Sequence, residues 1–446
     1  MGVLSVLADE LGLTHLRDSH SRRDVAFLLV SRFVRMAGFG AFAPVLILYL
    51  RHIGFSDRAV GLFLSATLLG DVGLSLFVTW TADALGRRRM LALGSLMMAA
   101  SGFVFFWSEN YVVLLLAAIL GIISPSGNEV GPFAALEQAM MSQLTVPEGR
   151  VSLLMWYQVL GFIGISAGNN MTGLIVKLTE KAGKDIVSAY KGVFMAYAII
   201  ALLKLVLSIL MTRHCEVDHP PVPSTTTSPT PAASRTSREG ERQPLLRENP
   251  ILDPPADLPV PKLPIGRLVV LCLVFSMDAF AGALAPLSFI SYYLKTVHAA
   301  PVQLIAHFFS ITAIIACVSQ LAAGSISKRL GIIGTMVGTH AQLLTIAFGL
   351  APSLPVALTF FILRSFLATM DASVRGAFLA AVIPKESRTR ILGIINVCKT
   401  LAATPGPTFS LTLVSMGHIR YSFVLMGSIK ILCEFLENPS NRFFSG

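Results

Sequence analysis

The sequence predicts an all-α polytopic membrane protein in which twelve transmembrane helices form two pseudo-symmetric six-helix bundles. Three observations carry that prediction. Of 446 residues, 54% are hydrophobic and only 13% are charged, with a mean hydropathy of +0.70, which is far more apolar material than one water-soluble core needs. About a dozen apolar stretches reach the roughly 20 residues that a helix needs to cross a bilayer. One polar segment rich in Pro, Ser and Thr divides these stretches six and six.

Residues 1–25 carry Asp9, Glu10, Arg17, Asp18, Arg22 and Arg23 and read as a cytosolic segment with no cleavable signal peptide. The first bundle is expected over 26–212, with spans at 26–50, 58–82, 90–107, 111–135, 151–176 and 192–212. Residues 213–262 are too polar to offset their ordering entropy by burial, and are expected to be a disordered cytosolic linker. Within it, Glu241, Leu245 and Leu246 fit an acidic dileucine sorting pattern. The second bundle is expected over 263–446, with spans at 265–294, 302–326, 332–350, 354–381, 391–414 and 419–436. Span 12 is the weakest, because Lys430 and Glu434 lie one turn apart in it. Lys and Arg concentrate in the loops that are cytosolic if both termini are inside, the triplet Arg87, Arg88 and Arg89 above all. The net charge of +10 is thereby assigned to an anionic membrane leaflet, with no nucleic acid as partner. The five cysteines show no metal-ligand spacing and read as packing residues, so no metal or other cofactor is expected.

The two halves repeat a pattern. After span 2 the chain reads TWTADALGRRRML, and after span 8 GSISKRLGIIGTM. Each places a Gly, Gly86 or Gly331, three residues after a charged one, where the chain must turn back tightly. The first of these loops, with Asp83, Gly86, Arg87 and Arg88, resembles the signature loop of the major facilitator superfamily, although Thr79 stands where that pattern begins with Gly. The resemblance, extended by the span count and the central loop, covers nearly the whole chain. It implies alternating access, with Asp83, Gly86, Arg87 and Arg88 as a cytosolic latch that Glu137 and Arg150 are expected to join. Drug/proton antiporters of that superfamily carry a Gly-rich, Pro-containing motif on span 5; here GFIGISAGNNMTG has Gly161, Gly164, Gly168 and Gly173 without Pro, and close helix packing accounts for them.

The resemblance also implies that spans 1, 4, 7 and 10 line a central cavity, and the deep charges fall largely there. Charge at bilayer depth costs at least ~2.5 kcal/mol, so each is a functional candidate. Arg32, Arg35, Asp278 and Arg364 are candidate substrate-binding residues. Glu129, Asp71, Asp278 and Asp371 are candidate proton-coupling carboxylates, since a carboxyl group in low dielectric can exchange a proton near neutral pH. Glu129 lies in ISPSGNEVGPFAALEQ, where Pro125, Gly127, Gly131 and Pro132 weaken the helix. Asp371 and Arg375 are spaced to pair on one helix face. Gln158, Asn169, Asn170, Gln320 and Asn396 read as interhelical glue, and Lys399 as a snorkelling residue.

The expectation is a monomeric secondary transporter of a small organic solute, coupled to protons and working in efflux, with uptake of an anionic nutrient as the alternative. The arginines favour carboxylate or phosphate. No nucleotide-binding motif appears, and the histidines near the spans form no nucleophile or metal constellation, so an enzyme is not expected. A non-transporting sensor on the same scaffold would be expected to lose the cavity charges. The plasma membrane is the expected site, with a vacuolar or endosomal membrane as the alternative that the dileucine pattern would favour.

Overall fold

The computed structural model describes residues 22–121, 123, 132–145, 150–212, 215–216, 265–334, 338–382 and 388–437. Glu129, the linker and the N-terminal 21 residues lie outside them, as do the side chains of Asp83, Asp371 and Arg375. Every described element is a helix or a short connection. In the first half these are α1 (Arg22–Phe42), α2 (Leu46–His52), α3 (Asp57–Leu85), α4 (Arg87–Trp107), α5 (Tyr111–Gly121), α6 (Pro132–Leu144), α7 (Arg150–Lys181) and α8 (Ile186–Leu210). In the second they are α9 (Ile265–Leu284), α10 (Leu287–His298), α11 (Val302–Gly334), α12 (Gly338–Leu350), α13 (Leu354–Val382), α14 (Arg388–Ala403), α15 (Gly406–Ser415) and α16 (Tyr421–Glu437).

Local chemistry sets the boundaries. Ser56 caps α3 by accepting from the Ala59 N–H at 3.3 Å, and Asp185 caps α8 by accepting from Val187 at 3.1 Å. Spans 1 and 7 are each broken at an Ala-Pro step, Ala43-Pro44 and Ala285-Pro286, because proline cannot donate to the preceding turn. The α9–α10 pair bends by 40° there. Pro405 separates α14 from α15 in the same way. Among the described residues, six helices are long and apolar enough to cross a membrane unaided, and the bent pair α9–α10 makes a seventh. Span 12, doubtful from sequence, is the continuous helix α16, packed on α12 and α9. The outward faces are apolar at helical spacing: Leu62, Leu69 and Leu76 of α3 are 56%, 53% and 57% exposed, the side that hydrocarbon would cover.

The repeat is visible in the packing. In the first half α1 lies on α7 and α8, and α4 lies on α8; in the second α9 lies on α14 and α16, and α12 lies on α16. The two most extensive pairs that join the halves are α7 with α11 and α3 with α15, counterparts of each other under the repeat, and α2 with α10 and α3 with α14 also meet across them. Glycine makes the α1–α7 contact close: a Cβ on Gly164 would fall 2.4 Å from the Phe33 carbonyl oxygen and one on Gly168 2.0 Å from that of Ala37. The match extends to single atoms. The Tyr49 hydroxyl of α2 donates to the Phe105 carbonyl at 3.1 Å, at the end of α4, and the Tyr293 hydroxyl of α10 donates to the Gly349 carbonyl at 3.0 Å, at the end of α12.

Candidate functional site

Four spans of the first half bring their polar groups to one enclosed cluster. Glu137, on α6, is fully buried. Its Oε2 accepts from Arg35 of α1 at 3.0 Å and from the Tyr157 hydroxyl of α7 at 2.7 Å, and its Oε1 lies 3.4 Å from Lys204 Nζ of α8. Arg35 also donates to the Tyr157 hydroxyl at 2.9 Å. One turn earlier on α1, Arg32 donates to Gln158 at 3.0 Å and its guanidinium stands 4.4 Å from the Tyr157 ring centroid. Glycine makes the room, since a Cβ at Gly161 would sit 3.0 Å from Arg32 Nε. Lys204 also faces the Phe133 ring at 5.4 Å. Among the described residues, three cations and one carboxylate thus share a site with almost no water access. Buried charge of this kind persists only where it is paired and hydrogen-bonded.

The structure gives several of the expected residues partners that the sequence did not name. Glu137 was expected in the cytosolic latch, but the inward face of α6 hands its carboxylate to Arg35, Lys204 and Tyr157. Arg150 is exposed and donates to the Thr145 carbonyl of its own connection at 3.4 Å. Arg35 and Asp278 have no partner nearby in sequence, yet each has one across the bundle. Asp278 is paired with Lys430 of α16 at 2.7 Å, which also accounts for the lysine that made span 12 doubtful. Arg364 donates to Thr345 of α12 at 2.8 Å and stacks on Phe361 at 5.5 Å, so this contact lies within the second half. Asp71 is buried on α3. Lys204 was singled out by no reading, although it is the one charge in the run YAIIALLKLVLSIL of span 6.

At the end predicted to be cytosolic, the turn after α3 has the expected form. Gly86 holds φ +94, a conformation that favours glycine, and a Cβ there would meet the Glu216 carboxylate at 3.1 Å. Glu216 accepts from the Arg87 backbone N–H at 2.7 Å, Arg87 donates to Gln143 at 3.2 Å, and Arg88 donates to the Met211 carbonyl at 2.7 Å. The partners that the sequence did not reveal are Glu216 and Gln143. Beside them, Asp24 of α1 accepts from the backbone N–H of Thr212 at 2.9 Å. Burial, with Asp24 next to it, pushes the Cys215 thiol up to about 12.

The halves meet through polar contacts toward the end predicted to be outside. Asp57 Oδ1, 3.0 Å from Arg51 Nε, accepts from the Tyr292 hydroxyl of α10 at 3.1 Å. Glu180 accepts from Gln303. Nearer the middle, Ser166 and Ser310 hydroxyls are 2.6 Å apart, Asn170 donates to Ser310 at 2.7 Å, and Ser65 and Thr408 hydroxyls are 2.7 Å apart. Toward the other end the buried clusters formed by the described residues are separate, one built from first-half residues and one from Leu271, Phe275, Ile391 and Ile395.

Two repeated bundles joined mainly along two equivalent helix pairs, with ion pairs held in the interior of each, define a membrane transport fold. The chain belongs to the Major Facilitator Superfamily, whose sequence profile matches residues 28–370. It is 30% identical over 423 residues to the uncharacterized membrane protein YJR124C of Saccharomyces cerevisiae, covering 93% of each chain. A shorter match, 29% over 102 residues, covers 23% of this chain and 26% of the quinolone resistance protein NorA of Staphylococcus aureus. Among solved structures it is similar to the xylose transporter XylE of E. coli in an inward open conformation, with a TM-score of 0.66 at 15% identity, covering 94% of this chain and 96% of that one. It is also similar to a bacterial homolog of the human lysosomal transporter Spinster, inward-facing and unoccupied, with a TM-score of 0.65 at 15% identity, covering 92% and 95%. At that identity the solved structures speak for the fold. The chain is therefore a multi-pass membrane protein of a transporter family.

Proposed function

We propose that this chain is a proton-coupled secondary transporter that exports a small organic solute by alternating access. The observation that supports the reading best is the Glu137 cluster. One carboxylate is shared by cations and a phenol from three other helices, which favour its charged form, so Glu137 would take a proton only as Arg35 and Lys204 are drawn away from it. That makes protonation a change in helix-to-helix attachment, which is what coupling requires. The separation of the inner clusters and the polar seam toward the outer end support an inward-facing arrangement, ready to take solute from the cytosol. The partial likeness to a quinolone resistance protein supports export and makes a quinolone the first member of a substrate panel. A second reading, uptake of an organic acid or phosphate ester, is favoured by the excess of Arg32, Arg35 and Lys204 over Glu137 among the described residues of the cluster.

The test uses the purified full chain in proteoliposomes with an imposed pH gradient and a panel of quinolones, dyes and carboxylates. Export coupled to protons gives solute movement against the proton gradient that collapses with an uncoupler. Solute movement indifferent to the gradient and to the uncoupler rejects coupling, and accumulation of the carboxylates alone selects the second reading.

A further inference from the structure

Three arginines, Arg87, Arg88 and Arg89, open α4, and its first turn carries no acid. Cations at that end oppose the helix dipole, and Gly86 has no side chain with which to cap the orphan N–H groups. The compensating charge comes from the far end of the same half. Glu216, six residues past the last residue of α8, is half-buried, and its Oε2 accepts from the Arg87 backbone N–H at 2.7 Å. Gln143, at the end of α6, ties the two together, because its amide N–H donates to the Glu216 carbonyl at 3.0 Å while its oxygen accepts from Arg87 at 3.2 Å. The backbone around Glu216 is anchored as well. Cys215 beside it is buried in the cluster that holds Met90 and Leu91 of α4, and Thr212 is bonded to Asp24 of α1.

All of these partners belong to the first half, whereas α3, which ends at this turn, also packs on α14 and α15 of the second. The turn thus hangs at the inner end of a helix of the seam. We infer that Glu216 is a positioning residue of the transport cycle, which holds the α3–α4 turn to the first half and thereby favours the inward-facing arrangement. The inference rests on the alternating access proposed above. Closing the inner end asks the turn to bond across to the second half, and an N–H that points its proton at Glu216 is not free to serve an acceptor there. Release of Glu216 frees the start of α4 for that contact. The sequence pattern of the turn does not name this residue, which lies 129 positions from Arg87.

The test uses the full chain in proteoliposomes and reads the rate at which an impermeant maleimide labels a cysteine placed in the outer cavity. Glu216→Gln keeps the size of the side chain and removes its charge, so labelling should rise about tenfold, the order of one charge-assisted hydrogen bond. Gln143→Leu leaves that charge in place and should raise the rate by about threefold, the order of one neutral hydrogen bond; it carries the test by itself if Glu216→Gln does not fold. Glu109→Gln, an equal loss of charge at the exposed outer end of the first half, should leave the rate unchanged. A cap with no part in the cycle would lower the unfolding temperature and leave labelling where it was. That result overturns the inference, as does a rise no larger than that of Glu109→Gln. Failure of the underlying reading looks different, because wild-type labelling is then itself indifferent to solute and to an imposed pH gradient.

Discussion

Replacing Glu137 with Gln removes the one carboxylate that Arg35, Lys204 and Tyr157 share. The two ion contacts, at 3.0 and 3.4 Å, are each worth about 5 kcal/mol of Coulomb attraction at an effective dielectric near 20. Desolvation of the ions cancels much of that, at several kcal/mol per ion. What remains visible on truncation is the cost of two stranded cations, about 3–5 kcal/mol. Thermal unfolding in detergent, followed by loss of a monodisperse species, should therefore shift down by several degrees. The double variant Glu137→Gln with Lys204→Met should lie above Glu137→Gln alone, because it removes one stranded cation along with its partner. Such non-additivity is the signature of groups in contact. A Glu137→Gln protein as stable as wild type, or strictly additive effects, would refute the account of the cluster.

Three further outcomes are expected. Tyr292→Phe removes a hydroxyl that holds Asp57 across the halves; at about 1 kcal/mol, the population should move roughly fivefold toward the outward-open form, read as faster labelling of a cysteine placed in the outer cavity, and unchanged labelling removes this contact from the gate. Gly86→Ala must hold φ +94 and press on Glu216; a loss of about 1–2 kcal/mol is expected, while a neutral or stabilising effect would show that the turn is not constrained. The Cys215 thiol, pushed up to about 12 by burial, should stay protonated and resist maleimide at pH 8 until the chain unfolds. Because its folded value lies above the ordinary one, its contribution to stability is full below the ordinary thiol range and is lost as pH rises toward 12; ready labelling of the native protein at pH 8 contradicts this.

The fold was legible in the sequence because its signals are long and local. Apolar runs of spanning length, a polar divider and the glycine turn at Gly86 survive without knowledge of tertiary contacts, whereas the turn expected at Gly331 is not there, because α11 continues through it to Gly334. The interior ion pairs were half legible. Arg35, Glu137 and Asp278 stood out as charges at depth, but their partners lie 102 and 152 residues away, beyond any spacing rule. Glu137 was misplaced because helical depth alone does not tell which face a side chain takes. Lys204 escaped notice because one lysine barely lowers the hydropathy of its 25-residue helix. The Ala-Pro breaks of spans 1 and 7 interrupt stretches expected to be continuous, 26–50 and 265–294, and their meaning appears only when α2 and α10 are seen side by side.

Tyr49 and Tyr293 peg the outer pieces of spans 1 and 7 to α4 and α12 of their own halves. A piece pegged in this way cannot swing by itself about its Ala-Pro break without abandoning its hydrogen bond and the aromatic rings stacked around it, Phe194 against Tyr49 and Phe423 against Tyr293. On the alternating access proposed above, exchange between states then falls to the seam, whose contacts near the middle include the hydroxyl pairs Ser65 with Thr408 and Ser166 with Ser310. A hydroxyl can turn its proton to follow its partner, so such a contact tolerates a change of angle. On that reading the pliable chemistry lies at the seam, between two blocks each pegged to itself.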